Sequence, residues 1–168
     1  MIESQIKARS ITRDDFSPFG ELLMCEGAVT YACNQGRATR YHDLLKNIDV
    51  SEGVGRVGLS IYKSTPSSIP FKIEAMERHP LGTQAFIPMT MDPESRYLVA
   101  VAPAGEFDKN KILAFIVNGQ IGVNYKKGVW HLPIVALDTD MDFLAVDRIG
   151  VGINCDETCF FPGELIIK

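Results

Sequence analysis

Glu77-Arg78-His79-Pro80-Leu81-Gly82-Thr83-Gln84-Ala85-Phe86-Ile87-Pro88-Met89 crowds Glu77, Arg78, His79 and Gln84 around a Pro–Gly turn and then runs into an apolar, extended segment. That rhythm, a turn followed by a short strand, repeats along the chain. From Val54 onward, β-branched or aromatic stretches are separated by Gly, Pro, Asn and Asp with little helical periodicity, the signature of an all-β sandwich or barrel. The candidate strands are Val54–Tyr62, Ile69–Met76, Gln84–Met91, Tyr97–Ala102, Ile112–Val117, Gly122–Tyr125, His131–Leu137 and Met141–Arg148. Thr65-Pro66-Ser67-Ser68, His79-Pro80-Leu81-Gly82, Ala102-Pro103-Ala104-Gly105, Asn118-Gly119 and Asp138-Thr139-Asp140 supply the turn chemistry between them.

Asn118-Gly119 is the strongest local hairpin signal, because both residues tolerate positive φ. Lys109–Val117 reads equally as a strand or a short helix. Before Val54 the pattern loosens. Thr12 can cap a short helix opening at Arg13-Asp14-Asp15-Phe16 and ending near Pro18 and Gly20. Ala28–Asp43 mixes Asn, Gln, Gly and Arg with Tyr31 and Tyr41 and reads as a long loop of functional character. About eight antiparallel strands in one small unit must remove their exposed edges, by closing a barrel or by forming a double-sheet jelly roll. The expectation is an all-β jelly roll or barrel with one or two short helices.

The chain has 168 residues, 46% of them hydrophobic, enough for one packed unit spanning 1–168. Its net charge of −4 comes from dispersed acids and bases, with no like-charge block of the kind that binds nucleic acid, so small molecules are the expected partners. Met1–Lys7 has neither an apolar core nor a cleavage site of a leader, and no apolar run reaches the roughly 18 residues of a membrane span. A cytoplasmic location follows as the expectation. Cys25, Cys33, Cys155 and Cys159 match no zinc-ribbon spacing and are expected to be thiols in a reducing compartment. Cys155-Asp156-Glu157-Thr158-Cys159 is a weak metal signal.

Only three histidines are present, His42, His79 and His131. His79 is followed five residues later by Gln84, and His131 closes Gly128-Val129-Trp130-His131, in which the only Trp stands beside a titratable ring. These two segments resemble the two motifs of the cupin fold, in which the motif histidines converge. A longer resemblance is more specific. Arg40-Tyr41-His42-Asp43-Leu44, the thirteen-residue block quoted above, Gly122-Val123-Asn124-Tyr125, Gly128-Val129-Trp130-His131 and Asp147-Arg148 with Asn154-Cys155-Asp156 resemble, in order, the signature blocks of the ureidoglycolate lyase family, from about Phe16 to Glu157.

The resemblance implies a homodimeric, cupin-type barrel that converts (S)-ureidoglycolate to glyoxylate and urea in allantoin breakdown, in some members with a divalent metal such as nickel. Lys126 and Leu132 depart from the pattern, standing where histidines are usual, and imidazole suits nickel better than an amine or an alkyl chain. The reaction needs a base for the hydroxyl proton, an acid for the departing nitrogen and a cation for the carboxylate. His131 is the candidate acid or base and His79 its partner, while His79, Gln84 and His131 are the candidate metal ligands. Lys126 is a third candidate catalytic residue, as a cation that holds the carboxylate or, once desolvated, as a base, and Arg78 is a candidate carboxylate anchor, bidentately. Glu77 and Gln84 are supporting or ligand candidates, Asn124 and Tyr125 offer hydrogen bonds to the ureido group, and Trp130 can shield the site from water. His42 is a candidate lid residue or dimer contact, and Asp147-Arg148 a candidate ion pair. Two other readings stay open: a metal-dependent cupin hydrolase of another small ureide or carboxylic acid, and a non-catalytic cupin that binds a small anion.

Overall fold

The computed structural model describes residues 4–90 and 92–168. The expected strand through Met91 therefore ends, for its last residue, outside the described residues, as do the first three residues of the expected leaderless N-terminus. Strands dominate. In chain order they are β1 (Ser4–Ile6), β2 (Ala8–Ser10), β3 (Gly20–Leu23), β4 (Val29–Cys33), β5 (Ala38–His42), β6 (Gly55–Ser64), β7 (Pro66–Ser67), β8 (Phe71–Lys72) and β9 (Ala75–Arg78). The second half carries β10 (Gln84–Pro88), β11 (Arg96–Ala102), β12 (Leu113–Asn118), β13 (Gly122–Tyr125), β14 (Trp130–His131), β15 (Val135–Leu137), β16 (Met141–Gly150), β17 (Asp156–Cys159) and β18 (Leu165–Ile167). One short helix, α1 (Arg13–Phe16), starts as expected at Thr12, whose side chain accepts from the Asp15 amide.

Two sheets make the body. One has the order β3-β13-β10-β16-β6, the other β17-β9-β14-β11-β12-β2, with β15 and β7 added to the latter. They do not close into a continuous barrel, and the architecture is that of an all-β, cupin-like jelly roll. Alternation along the strands explains the two cores. On β11, Tyr97, Val99 and Val101 point between the sheets, where they meet Phe86, Val123, Tyr125, Phe143 and Ala145 from the facing sheet. Leu98, Ala100 and Ala102 point the other way, into a second core with Ile73, Met76, Leu165 and Ile167. The small sheet β1-β18-β8 covers that outer face. With both faces buried, β11 reads as a continuous apolar run.

Two expectations are corrected. Asn118-Gly119 does not form a hairpin: β12 pairs with β11 and β2, whereas β13 pairs with β10 and β3, so the turn carries the chain from one sheet to the other. Asn118 O accepts from the Ile121 amide, and Gly119 is demanded by proximity, since a Cβ there would lie 2.1 Å from Ser95 Oγ. Ala28–Asp43 is not a loop but the hairpin β4–β5, turning through Asn34-Gln35-Gly36, all at positive φ. Its strands were hidden because most of their side chains, Val29, Tyr31 and Tyr41 among them, are exposed and leave no inward apolar period to read. Lys109–Val117 resolves as a single 3-10 turn, Lys109–Lys111, leading into β12.

Candidate active site

Three side chains on one sheet are forced together by strand geometry. Glu77 lies in β9 and His79 just past its last residue, two positions on and with its ring facing the Glu77 carboxylate, and the β9–β14 register sets His131 directly beside Glu77. That face looks between the sheets, because the His131 ring stacks on Tyr125 of the facing sheet at 4.2 Å between centroids and 10° between planes. Gln84, paired with Tyr125 in the same facing sheet, brings Oε1 to 3.1 Å from His131 Nε2.

Hydrogen bonds at the rear of each ring fix which nitrogen faces the cavity. His131 Nδ1 is 3.0 Å from Val129 O, and His79 Nδ1 is 2.6 Å from Asn154 O. A carbonyl can only accept, so each Nδ1 carries a proton and each Nε2 is turned inward. Both Nε2 atoms face one carboxylate oxygen: Glu77 Oε1 lies 3.4 Å from His131 Nε2 and 3.8 Å from His79 Nε2. Gly128 makes the Val129 carbonyl available, since its φ of +71° turns the chain just before β14.

The electrostatics follow from this crowding. Burial alone would raise the Glu77 pKa, but the two imidazoles facing it, His131 and His79, outweigh it and hold the carboxyl at about 2. For His79, burial opposes the charged form, yet Glu77 and the Asn154 carbonyl prevail and raise its pKa above the ordinary imidazole value. His79 Nε2 is sealed from solvent without a hydrogen-bond partner. A buried ring nitrogen left unmatched in this way, among the described residues, is an exception that calls for a partner.

Glu77 Oε1 and the two Nε2 atoms lie within 4.8 Å of one another, a set suited to a divalent cation. Each of the two rings is oriented by a carbonyl behind it, the kind of support that metal-bound imidazoles usually have. Among the predicted ligands the structure gathers His79, His131 and Gln84 and adds Glu77. Lys126 and Leu132, the two departures from the family pattern, lie elsewhere. Leu132 is buried in the second core, on the opposite face from His131, and Lys126 Nζ bonds the carbonyls of Ser17 (2.6 Å) and Pro18 (3.3 Å) beyond α1. Neither replacement removes a donor from the cluster. Cys155 Sγ, at the rim 4.0 Å from Glu77 Oε2, has its pKa raised by burial and by Glu77, Glu157 and Asp156, so the thiol stays protonated and is a poor ligand.

The other predicted residues divide by alternation. Tyr125 is at the cluster. Asn124, its neighbour, faces outward and donates to Asn47 O at 3.1 Å. Arg78 and Trp130 alternate with Glu77 and His131 onto the outer face, where the guanidinium lies 4.6 Å over the indole. Arg78 also pairs with Asp156 at 2.8 Å, and both Arg78 and Trp130 donate to Gly105 O. His42 sits in the β4–β5 hairpin, edge-on to Tyr31 at 5.5 Å. The expected Asp147–Arg148 ion pair is absent. Consecutive strand residues face opposite ways, and Arg148 donates instead to Glu52 O (2.8 Å) and Val151 O (2.9 Å).

Two inward-facing residues near the cluster, Tyr62 and Asp147, were not read from the sequence as site residues. Tyr62 of β6 reaches over Phe86, ring centroids 5.2 Å apart. Asp147 continues the inward row Phe143, Ala145 on β16. The signal for Asp147 was available: it is the one acid in an otherwise apolar alternating row. For Tyr62 there was none beyond its parity in a strand whose outer face is also apolar.

Comparison with known proteins supports a relationship over nearly the whole length. A family model described as ureidoglycolate lyase matches residues 3–168. A ureidoglycolate lyase of Burkholderia cepacia is 47% identical over 152 residues, covering 90% of this chain and 84% of the relative. One from Burkholderia mallei (strain NCTC 10229) is 47% identical over 147 residues, 88% of this chain and 84% of the relative. One from Pseudomonas paraeruginosa (strain DSM 24068 / PA7) is 39% identical over 163 residues, 96% and 94%. Likeness of this extent and evenness, over a chain that folds to pair two signature-block histidines around one carboxylate, places the protein in the ureidoglycolate lyase family.

Proposed function

We propose that the chain cleaves (S)-ureidoglycolate to glyoxylate and urea, and that His79 and His131 carry the proton transfers. The observation behind this reading is the convergence of two Nε2 atoms on Glu77 Oε1, with each Nδ1 committed to a backbone carbonyl. Cleavage without water needs one proton removed from the hydroxyl and one delivered to the departing nitrogen. His79 Nε2, unpartnered and made more basic by Glu77, suits the first task. His131 Nε2, pointed at two acceptors, Gln84 Oε1 and Glu77 Oε1, suits the second as an N–H donor. The proton gained on one ring replaces the one given by the other, and Glu77 stabilises whichever ring is charged. Such general acid–base help is typically worth about 10²–10⁴ in rate.

Glu77, His79 and His131 would also hold a divalent cation such as nickel, which when bound would anchor the substrate carboxylate and polarise its hydroxyl. A cation and a proton compete for the same Nε2 lone pairs, so metal content decides which chemistry runs. Lys126 and Arg78 are held away by their own partners, which leaves the anchoring of the carboxylate to the imidazolium charge or to the cation.

Residues 1–168 form one catalytic unit in this reading, supported by a family match that runs through both ends of the fold. Four cysteines free of disulfides suit a reducing compartment, the cytoplasm. No helix among the described residues is long and apolar enough to cross a membrane. A homodimer is supported by β6, ten residues long and paired on one edge only among the described residues, with Val57, Leu59 and Ile61 exposed on its outer face. The function is tested by incubating the chelator-treated protein with ureidoglycolate and following glyoxylate, urea and ammonia separately. Glyoxylate with equimolar urea is the expected result. Ammonia in place of urea would make the enzyme a hydrolase, and no turnover, with or without nickel, would leave only a binding role.

A further inference from the structure

Asp147 carries a carboxylate that forms no hydrogen bond or ion pair among the described residues. Its Oδ1 is sealed from solvent and has no hydrogen-bond partner. Leaving a charged acceptor in that state is costly unless a ligand completes it. Its direction is set by β16: Phe143 and Ala145 point into the space between the sheets, and Asp147 follows them in the same alternation. One step beyond the Ala85–Val146 pair, the register brings Asp147 alongside Gln84, whose amide touches His131. The carboxylate therefore belongs to the wall opposite Glu77 and His79.

Tyr62 comes over the same space from β6. Burial, followed by the charges of Asp147, Glu77 and Cys155, raises its pKa, so the phenol stays protonated and can donate. Opposite Asp147, β6 carries Gly58, where a Cβ would come 2.3 Å from Ile149 Cγ1 and 2.9 Å from Asp147 Oδ1. Glycine there leaves room for both side chains.

We propose that Asp147 and Tyr62 form the recognition wall for the ureido group, Asp147 accepting from its N–H donors and Tyr62 donating to its carbonyl oxygen. This rests on the ureidoglycolate reading and deepens it. The histidine side of the cavity handles the glycolate half, which is shared by many hydroxy acids, and the Asp147 side selects for a urea-bearing substrate. A carboxylate suits that role because a ureido group presents N–H donors in a row, and hydrogen bonds to a charged acceptor are the stronger kind.

The test compares two unreactive ligands, N-carbamoylglycine, which keeps the ureido group and carboxylate, and glycolate, which lacks the ureido group. Binding of each is measured by calorimetry to the wild-type protein, Asp147→Asn and Tyr62→Phe, alongside turnover of ureidoglycolate. Asp147→Asn is expected to weaken N-carbamoylglycine by about 10- to 100-fold, the range for a hydrogen bond to a charged group, and to leave glycolate within about twofold. Tyr62→Phe, which removes one oxygen and keeps the ring on Phe86, is expected to weaken N-carbamoylglycine several-fold and glycolate not at all. Should Asp147→Asn fail to fold, the Tyr62→Phe pair of affinities decides alone. Unchanged N-carbamoylglycine binding, or equal loss for both ligands, overturns the assignment. If wild-type protein turns over ureidoglycolate and the variants bind like wild type, only this inference falls. If wild type neither turns it over nor binds N-carbamoylglycine, the functional reading falls with it.

Discussion

Replacing Glu77 by Gln removes the charge that gathers the two histidines and keeps the shape of the side chain. The carboxyl sits at about 2 against an ordinary value of 4.5, a difference worth about 3 kcal/mol at roughly 1.4 kcal/mol per pKa unit. Because the folded value is depressed, that stabilisation is complete above the unfolded pKa near 4.5 and is lost as pH falls toward about 2. His79 shows the same interaction from the other partner, so the two are not added. Its folded pKa is raised, so its stabilisation is complete below the unfolded value near 6.5 and is lost as pH rises through the folded one. The wild-type optimum from this source lies between these limits. At pH 5.5, with chelator present, calorimetric melting of Glu77→Gln is expected about 6–12 °C below wild type, at 2–4 °C per kcal/mol for a chain of this size. The gap should shrink to roughly half near pH 3 and narrow again above pH 7. A gap that does not change with pH would mean that Glu77 acts by packing alone. No gap at pH 5.5 would refute the charge coupling altogether.

His131→Ala should lower kcat by about 10²–10⁴ while the far-ultraviolet circular dichroism stays that of wild type; near-normal turnover would remove His131 from the chemistry. Nickel binding to chelator-treated protein, followed by competition with a colorimetric chelator, should weaken at least tenfold in His79→Ala and in Glu77→Gln and not in Lys126→Met; equal loss in all three would place the ion elsewhere. Lys126→Met should cost about 1 kcal/mol in guanidinium unfolding, from the lost bonds to Ser17 O and Pro18 O, and leave KM within about twofold. A tenfold rise in KM would show that the ammonium enters the cavity after all. Gly20→Ala puts a Cβ 2.0 Å from Asn124 O and should destabilise the β3–β13 pair by about 3 kcal/mol or more, read as a fall in melting temperature.

Most strands from Val54 to Arg148 were legible because they bury at least one face, and burial writes a period of two into the sequence; Ile69–Met76 and His131–Leu137 are each broken in two, as β8 and β9 and as β14 and β15. The β4–β5 hairpin was not, since its exposed faces place no such demand on residue type. Asn118-Gly119 misled for a different reason: the pair marks a turn but does not say whether the chain returns to the same sheet. Within the site, the signature blocks pointed to His79, His131 and Gln84, and parity settled the rest. Arg78, Asn124 and Trp130 are each next to a cavity residue in sequence and on the opposite face in space. Position along a strand carries that information only once its inward face is known, and Tyr125 stacked on His131 is the contact that reveals it.

In the proposed reaction one cluster, with both Nε2 atoms turned inward, carries the proton transfers. The nitrogen-15 imidazole spectrum of chelator-treated protein, recorded during titration with glyoxylate, tests it most directly. His79 and His131 should show protonated Nδ1 atoms, and glyoxylate should move both of their Nε2 resonances and leave those of His42 in place. Protein that turns over ureidoglycolate while glyoxylate shifts His42, or neither of the other two rings, would contradict it.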